Sequence, residues 1–176
     1  KLGGLDGGAL KTGDVISIGD QQGEARTLPK GHIPLLSNHI VLRAAQGPEY
    51  DSLSDASKRY LFTTPFYATT ATDRMGSRLK GDAVTLDTTL KMTSSPLLPG
   101  SLQIPPDGQP ILALADGHCT GGYARALQVI QADLWLLGQI APGSAVSFRR
   151  SPPDEAEEIL RGKNSYYADL IPGFTF

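Results

Sequence analysis

Short apolar runs recur along this chain, and glycine, proline, aspartate or asparagine bounds each of them. This punctuation is typical of strands, because turn-forming residues end each run before a helical period develops. The predicted strands are Val15–Ile18, Ile40–Ala45, Phe66–Thr70, Ala83–Leu86, Ser101–Ile104, Ile111–Ala115 and Ala145–Arg149. Closely spaced short strands with few long helices favour a barrel or a sandwich over a doubly wound sheet. The predicted fold class is therefore mainly β.

A few short helices are predicted between and after these strands. The first begins after Ser54, a residue type that caps helix N-termini, and ends before Pro65. The segment Ala132–Ile140 predicts one or two further turns. The last helix follows the Ser-Pro-Pro sequence at residues 151–153, and Gly162 is its expected stop.

The chain beyond residue 150 is predicted to be a charged tail. Acidic residues follow the helix start and a basic residue lies near its end, an order that complements the helix dipole. Asn164–Phe176 is expected to be a terminal extension. Its expected docking residues are Tyr166, Tyr167 and Phe174. The predicted organisation is a β-barrel domain over residues 1–150, followed by a charged helix and an extension over residues 151–176.

Composition narrows the classes of function. A formal net charge of -2 gives no basic footprint for nucleic acid or for an anionic membrane. Cys119 is the single cysteine, which excludes an internal disulfide and fits a reducing compartment such as the cytoplasm. The sequence shows no signal peptide and no apolar stretch of the ~20 residues that span a bilayer. Because the chain begins at Lys1 rather than at Met, we expect it to be a fragment or a processed part of a longer protein.

Arg74 and Arg78 flank Gly76 at a spacing of two residues on each side. If the segment is extended, all three share one face, because strand side chains alternate with a period of two. Two guanidinium groups beside a gap would bind a carboxylate through paired hydrogen bonds. The alternative interpretation pairs the arginines with Asp73 and Asp82 as surface ion pairs, with a bulge at the glycine. The spacing leaves both interpretations open.

A turn sequence, Ile-Pro-Pro-Asp-Gly-Gln-Pro, occupies residues 104–110 between two apolar runs. Proline presets φ, the aspartate side chain bonds the backbone that follows it, and glycine accepts a positive φ. A plain turn therefore accounts for Asp107 and Gly108. Gln103 and Gln109 flank the turn with amide groups that suit a polar ligand, so they are candidate binding residues.

A second polar segment combines possible nucleophiles with permissive backbone. His118 and Cys119 are adjacent, but neighbours in a strand point to opposite sides and a catalytic thiol needs its base in contact. A nucleophilic role for the cysteine is therefore disfavoured. The Thr120–Gly122 segment is instead predicted to form a backbone nest that approaches a carboxylate or a carbonyl. Tyr123 is predicted to form one wall of that pocket.

Several familiar site patterns do not occur in the sequence. No GxxxxGK[ST] phosphate loop is present. His32, His39 and His118 lack the HExxH or CxxC context of a zinc site, so no metal site is predicted. The glycines near the start have no strand-to-helix context, which excludes a dinucleotide-binding fingerprint there.

Two segments together carry a family resemblance. Residues 73–79 read Asp-Arg-Met-Gly-Ser-Arg-Leu, and residues 99–111 read Pro-Gly-Ser-Leu-Gln-Ile-Pro-Pro-Asp-Gly-Gln-Pro-Ile. Thr-Gly-Gly-Tyr at residues 120–123 and Ala-Asp-Leu at residues 132–134 match the same pattern. Over residues 2–148 the chain resembles the allophanate hydrolase subunit 2 family, also called the biotin-dependent carboxyltransferase-like family.

The resemblance implies a cyclophilin-like closed β-barrel, in agreement with the strand-rich pattern. The family includes the C subunit of bacterial 5-oxoprolinase, an antagonist of a sporulation-kinase inhibitor, and the carboxyltransferase region of urea carboxylase. Its members are usually longer than this chain and work beside a subunit 1-type protein. The chain resembles their C-terminal half, so that protein and the N-terminal half are its expected partners.

The function implied by the resemblance is part of a carboxyltransferase or amidohydrolase-type subunit. Its expected substrate is a small amide, lactam or urea-like compound of the 5-oxoproline, allophanate or urea class. The reaction is expected to be ATP-linked, with ATP or biotin bound by partner domains, and the chain is not expected to act alone. One alternative is a non-catalytic module that binds and regulates a partner protein, as the kinase-inhibitor antagonist does. A prolyl isomerase is a weaker alternative, suggested by the fold only.

Residue types and the family motif together imply roles for the candidate residues. The candidates are Arg74, Arg78, Gln103, Asp107, Gln109, Thr120, Gly121, Gly122 and Tyr123. The arginines are expected to contact a carboxylate or carboxybiotin, and the glutamines and the aspartate to orient the amide. The Thr-Gly-Gly backbone is expected to donate hydrogen bonds to a developing oxyanion. No catalytic base is identified. Where members of the family often carry Arg-Gln-Thr before the Thr-Gly-Gly-Tyr motif, this chain has Gly117–Cys119.

Overall fold

The computed structural model describes residues 4–20, 29–86 and 90–171 of the chain. These residues belong to two units, Lys1–Leu35 and Leu36–Phe176. The strands of the second unit are β1 (His39–Gln46), β2 (Phe66–Thr72), β3 (Gly76–Lys80), β4 (Ser95–Pro96), β5 (Ser101–Ile104), β6 (Ile111–Ala113), β7 (Thr120–Gly121), β8 (Ala124–Val129) and β9 (Ala145–Arg150).

A closed barrel forms the centre of the second unit. Seven strands follow one another around it in the order β1-β8-β5-β6-β3-β2-β9. β1 and β9 pair in parallel and close the barrel, while the other neighbours are antiparallel. β4 and β7 pair with each other as a separate two-stranded ribbon. The prediction of a mainly β fold with a closed barrel is therefore confirmed.

Alternation of side chains along the strands builds the barrel core. In β1, Ile40 and Leu42 are buried, while His39 and Val41 face outward and are exposed. Phe66, at the start of β2, is fully buried and packs edge-on against other aromatic rings of the core. Closure of the barrel satisfies both edges of each strand in backbone hydrogen bonding, so the fold needs no additional cover for a sheet edge.

Two of the helices follow the sequence prediction closely. Helix α1 spans Asp55–Thr63, and the Ser54 Oγ accepts a hydrogen bond from the Ser57 backbone N–H at 3.2 Å, as an N-cap residue does. Helix α2 (Leu134–Leu137) is a single turn that follows a 3-10 turn, within the segment where one or two turns were expected.

The last helix is longer than the sequence predicts. Helix α3 spans Pro153–Leu170, so it passes through Gly162 instead of stopping there. A glycine inside a helix costs only about 1 kcal/mol, which the helix tolerates when its other contacts are retained. One such contact is the Lys163 Nζ, which donates a hydrogen bond to the Ala132 carbonyl at 2.6 Å. The expected extension is thus helical up to Leu170, and Phe174 lies outside the described residues.

Two predicted strands are wrong. Val15–Ile18 has no strand assignment, and the side chains at both of its ends are exposed. Ala83–Leu86 is likewise not a strand, because its backbone bonds to different elements. The Val84 N–H donates to the Gly108 carbonyl at 2.9 Å, whereas the Thr85 carbonyl accepts from the backbone before α1.

Other strands were missed or placed imprecisely. The sequence pattern did not predict β3, β8 or the β4–β7 ribbon. β6 ends at Ala113, two residues before the predicted end, because the Leu114 N–H turns to the Met75 carbonyl at 3.0 Å. Among the described helices, none is both long enough and apolar enough to cross a membrane.

The first unit contains local turns in its described part. The Gly8 N–H donates to the Leu5 carbonyl at 3.2 Å, and the turn between them has positive φ at Asp6 and Gly7. A short 3-10 turn occupies Lys30–His32.

Candidate functional site

A cavity of about 580 Å³ lies against the outer face of the barrel. Its floor follows from strand register, because residues paired across neighbouring strands place their side chains on one face. Arg78 of β3 pairs with Ile111 of β6, which in turn pairs with Gln103 of β5. All three residues line the cavity. Two strand spacings separate the arginine and the glutamine, which is about 10 Å between their backbones.

Gln103 is a largely buried residue of this floor whose amide has no partner in the described protein. The residue is 7% exposed, and every residue of β5 is buried. Within residues 4–20, 29–86 and 90–171, nothing hydrogen-bonds the side-chain amide of Gln103, although the amide lines the cavity. The amide atoms are not sealed from solvent, since the fully buried side-chain polar atoms without a partner in the described residues are the Ser95 Oγ and the Ser151 Oγ. The amide is therefore available to a ligand that enters the cavity.

Arg78 supplies the positive charge of the cavity. Its Nη1 donates to the Asp107 Oδ2 at 3.2 Å, and both side chains are about half exposed. The same carboxylate accepts from the Gln109 N–H at 3.0 Å inside the predicted turn. The turn itself is confirmed, since the Gly108 N–H donates to the Pro105 carbonyl at 2.9 Å and Gly108 has a φ of +72°. Asp107 therefore does not line the cavity, and its contact with the site is the ion pair with Arg78.

Gln109 has a structural partner instead of a place in the cavity. Its Oε1 accepts from the Gly81 N–H at 3.2 Å, and its Nε2 donates to the Gly81 carbonyl at 3.2 Å. These two hydrogen bonds connect the residue after β3 to the turn that precedes β6. Both functional atoms of the amide are used in this way, so the two predicted glutamines differ in what they offer a ligand.

Arg74 does not share a face with Arg78. The Asp73 Oδ1 accepts from the Met75 and Gly76 N–H groups at 2.8 and 3.1 Å, which folds a turn before β3. Because Arg74 lies in that turn, strand alternation does not apply to it. It is 90% exposed, pairs with Asp116 at 3.4 Å, and borders a different, apolar cavity. The ion partners expected for the arginines were Asp73 and Asp82, and the structure replaces them with Asp116 and Asp107.

The Thr120–Gly122 segment forms extended backbone rather than the predicted nest. Thr120 and Gly121 pair with Pro96 and Ser95 in the β4–β7 ribbon. Neither Gly121 nor Gly122 has the positive φ that an anion-binding nest requires. The segment after β4 supplies Leu97 to the cavity, and Tyr123 lines it as well. Thr120 and Gly122 do not border the cavity.

An ion pair that no sequence pattern indicated holds the ribbon on the barrel. Arg125 pairs with Gln103 in the β5–β8 ladder and donates from Nε and Nη2 to the two carboxylate oxygens of Glu49, at 2.9 and 2.7 Å. Its Nη1 donates to the Pro96 carbonyl at 2.8 Å. The guanidinium hydrogen bond holds the pKa of the Glu49 carboxyl below its usual range. The partners are far apart in sequence, so no local spacing indicates them.

A second long-range pair was also missed. Asp133, before α2, is buried and accepts from the Arg43 backbone N–H and Nε at 2.9 Å each. The side-chain hydrogen bond raises the pKa of Arg43. The pair connects the α2 region to β1. Neither Arg43 nor Asp133 lines the cavity beside Gln103.

His118 and Asp73 complete the titratable groups at the cavity wall, together with Arg78 and Tyr123. His118 is exposed, and its neighbour Cys119 is exposed without bordering the cavity. In the part of the chain that the structure describes, no three His, Cys, Asp or Glu side chains are grouped as metal ligands. The cavity wall thus offers an amide, a guanidinium, a carboxylate, an imidazole and a phenol group to a polar ligand.

Comparison with known proteins finds a matching family and similar proteins whose names are known. A family model described as the carboxyltransferase domain, subdomains A and B, matches residues 1–150. The chain is 34% identical to the 5-oxoprolinase C subunit of Escherichia coli K12 over 169 residues, which cover 96% of the chain and 54% of that protein. It is 35% identical to the 5-oxoprolinase C subunit of Haemophilus influenzae over 171 residues, covering 97% of the chain and 54% of that protein. The chain thus spans about half the length of these curated relatives.

A solved structure shows the same fold. The urea amidolyase of K. lactis superposes with a TM-score of 0.73 at 21% identity, over 81% of this chain and 9% of that protein.

Proposed function

The chain belongs to the carboxyltransferase domain family, subdomains A and B, and from that membership we propose that it is part of a multi-subunit, ATP-linked enzyme. Its substrate in this proposal is a small amide, lactam or urea-like compound. The two relatives named as 5-oxoprolinase subunits support a lactam in particular. The partners in the proposal are a subunit 1-type protein and the half of the family protein that this chain does not span.

The observation that carries the proposal is the unpaired amide of Gln103 in the cavity. A carboxamide donates through nitrogen and accepts through oxygen, so it pairs with a substrate amide, which offers the complementary groups. A ligand that covers the amide and makes both hydrogen bonds leaves neither amide atom without a partner. An apolar ligand would bury the amide without a partner, which costs about 1–3 kcal/mol.

Arg78 supplies the second recognition element. Its Nη1 is engaged by Asp107, and its other N–H donors can bind a carboxylate on the substrate. Tyr123 borders the same cavity and gives the ligand an aromatic wall. In this arrangement the glutamine orients the amide, the arginine holds an acid group, and the tyrosine restricts the shape of the ligand.

The cavity does not fit a triphosphate. Arg78 is its one arginine or lysine among the described lining residues, and an ion pair with Asp107 already reduces its charge. Asp73 adds a carboxylate to the same wall. Several cationic or backbone donors normally surround a nucleotide phosphate chain. We therefore assign ATP to the partner domains in this proposal, and the side chains of this cavity bind and orient the small substrate.

The test is turnover of 5-oxoproline, and of urea in parallel, by the full-length protein assembled with its partner subunits. Gln103→Leu preserves the approximate size of the side chain and removes the amide. Losing its hydrogen bonds is expected to raise KM at least about tenfold, or about 1.4 kcal/mol. Arg78→Ala is expected to raise KM by a similar factor for a substrate that carries a carboxylate.

Arg74→Ala is the matched comparison, because it removes the same residue type outside the cavity. We expect its KM to stay within about twofold of the parent value. Unchanged turnover of Gln103→Leu and Arg78→Ala would overturn the proposed site. Stable assembly with partner subunits but no ATP-linked turnover of either compound would overturn the enzymatic proposal and favour the regulatory binding module.

A further inference from the structure

We infer that Gly121 is a positioning residue, whose missing side chain creates the space that the Gln103 amide occupies. The inference rests on the proposed function, since it explains how the amide is presented to a substrate. In this arrangement the β4–β7 ribbon constrains the orientation of the Gln103 amide from outside the barrel.

The two neighbouring glycines differ in their surroundings. A Cβ placed on Gly121 would overlap the Gln103 Nε2 and would lie 3.4 Å from its Cδ and 3.5 Å from the Leu97 Cδ2. A Cβ placed on Gly122 would meet nothing within 4 Å. Neither glycine has a positive φ, so alanine is compatible with both backbones. The difference between the positions is therefore the contact with Gln103.

Gln103 has few directions in which to move away from such a contact. Its residue is buried in β5, where the flanking Leu102 and Ile104 are buried as well. The cavity is the open space that its amide borders. An added methyl group at Gly121 therefore displaces the amide along the cavity wall or into the cavity, where a ligand would bind.

Two contacts join the halves of the ribbon that carries Gly121, and one hydrogen bond connects the ribbon to the barrel. Gly121 pairs with Ser95 across the ribbon, and the Leu97 N–H donates to the Cys119 carbonyl at 2.9 Å. The Arg125 Nη1 donates to the Pro96 carbonyl at 2.8 Å, while the same guanidinium is held by Glu49. Arg125, which anchors the ribbon, is paired with Gln103 across the β5–β8 ladder, so the two residues are direct cross-strand neighbours. The glycine is thereby held at a defined distance from the amide.

Side-chain amide NMR of the full chain tests the geometry without a substrate. The Gln103 NH2 resonances, assigned by their loss in Gln103→Leu, are expected to shift in Gly121→Ala. They are expected to keep their parent positions in Gly122→Ala. Both variants are expected to retain the parent unfolding midpoint, because the contact involves the end of a flexible side chain. Unshifted Gln103 resonances in Gly121→Ala would overturn the inference, whatever the activity of the enzyme.

Kinetics of the assembled enzyme tests the consequence. Gly121→Ala is expected to raise KM for 5-oxoproline about tenfold with a smaller change in kcat, and Gly122→Ala to leave both within about twofold. In the Gln103→Leu background, Gly121→Ala is expected to add less than about twofold, since the two changes act on one interaction. An equal loss in both backgrounds would show that Gly121 acts independently of Gln103 and would refute the positioning role. Shifted resonances with no turnover in any variant would leave the geometry standing and count against the proposed function.

Discussion

Replacing Glu49 with glutamine tests the ion pair that anchors the ribbon. The carboxylate accepts three hydrogen bonds from Arg125, through the backbone N–H, Nε and Nη2, at 2.9, 2.9 and 2.7 Å. The two side chains are 15% and 18% exposed, so water replaces these bonds poorly. Glutamine keeps one acceptor oxygen and turns an NH2 donor toward a guanidinium, which leaves donors unpaired. We expect Glu49→Gln to lower the free energy of unfolding by about 2–3 kcal/mol at neutral pH.

The pH dependence has a defined sign. The hydrogen bonds from Arg125 hold the pKa of Glu49 below its usual range in the folded state. The stabilisation is therefore fully present above the unfolded-state pKa of about 4.3, and it is lost as pH falls through the folded-state pKa. In urea unfolding monitored by circular dichroism, the difference between parent and Glu49→Gln should be constant above about pH 4.3 and shrink as the pH falls below that value.

Glu157→Gln is the control for this experiment. Its partner Arg161 lies at 2.9 Å on the exposed side of α3, and both side chains are largely open to water. Exposed pairs of this spacing contribute about 0.3–0.5 kcal/mol. The reasoning is refuted if Glu49→Gln costs no more than this control, or if its cost is the same at every pH measured.

Three further substitutions test local features of the fold by urea unfolding. Ser54→Ala removes the N-cap of α1 and should cost about 1 kcal/mol, whereas no loss would show that the cap is dispensable. Gly162→Ala should stabilise α3 by up to about 1 kcal/mol, and a loss would contradict the uninterrupted helix. Gly108→Ala should cost more than about 1 kcal/mol, because φ is +72° and the new Cβ would lie 2.9 Å from the Val84 carbonyl oxygen; a neutral result would contradict that turn.

The barrel strands that the sequence predicts are those with apolar residues between turn signals. Ser101–Ile104 is predicted with the bounds that the structure shows, because Pro-Gly precedes it and Pro-Pro follows it. β8 was missed, since Ala124–Val129 mixes alanine, arginine and glutamine with few β-branched residues. Val15–Ile18 is the opposite case, because a strand is predicted there and the structure has none. It has the composition of a strand, but strand formation also requires a partner, which composition does not encode.

The candidate site also combines residues that the local sequence identifies with contacts that it does not indicate. Gln103 and Tyr123 are identified by residue type beside turns, and both line the cavity. Arg74 and Arg78 have equivalent spacing around Gly76, yet a side-chain cap by Asp73 removes the first arginine from the strand. Pairings across long stretches of chain, such as Arg125 with Glu49, depend on the closed topology and have no local signature.

The proposed binding cavity and the apolar core of the barrel lie in different parts of this molecule. The barrel core contains the fully buried side chains, whereas the ribbon consists of two residue pairs and is connected to the barrel by the hydrogen bond from Arg125 to Pro96. Gly117–Cys119, where the chain departs from the family motif, leads directly into β7, and His118 of this segment lines the cavity. A Cβ on Gly117 would lie 2.9 Å from the Met75 carbonyl oxygen and 3.0 Å from the Leu114 carbonyl oxygen, so a larger residue there would require the backbone beside β3 and β6 to shift. Under the proposed function, we therefore expect a substitution at His118 to alter ligand preference and a substitution at Gly117 to disturb the fold as well.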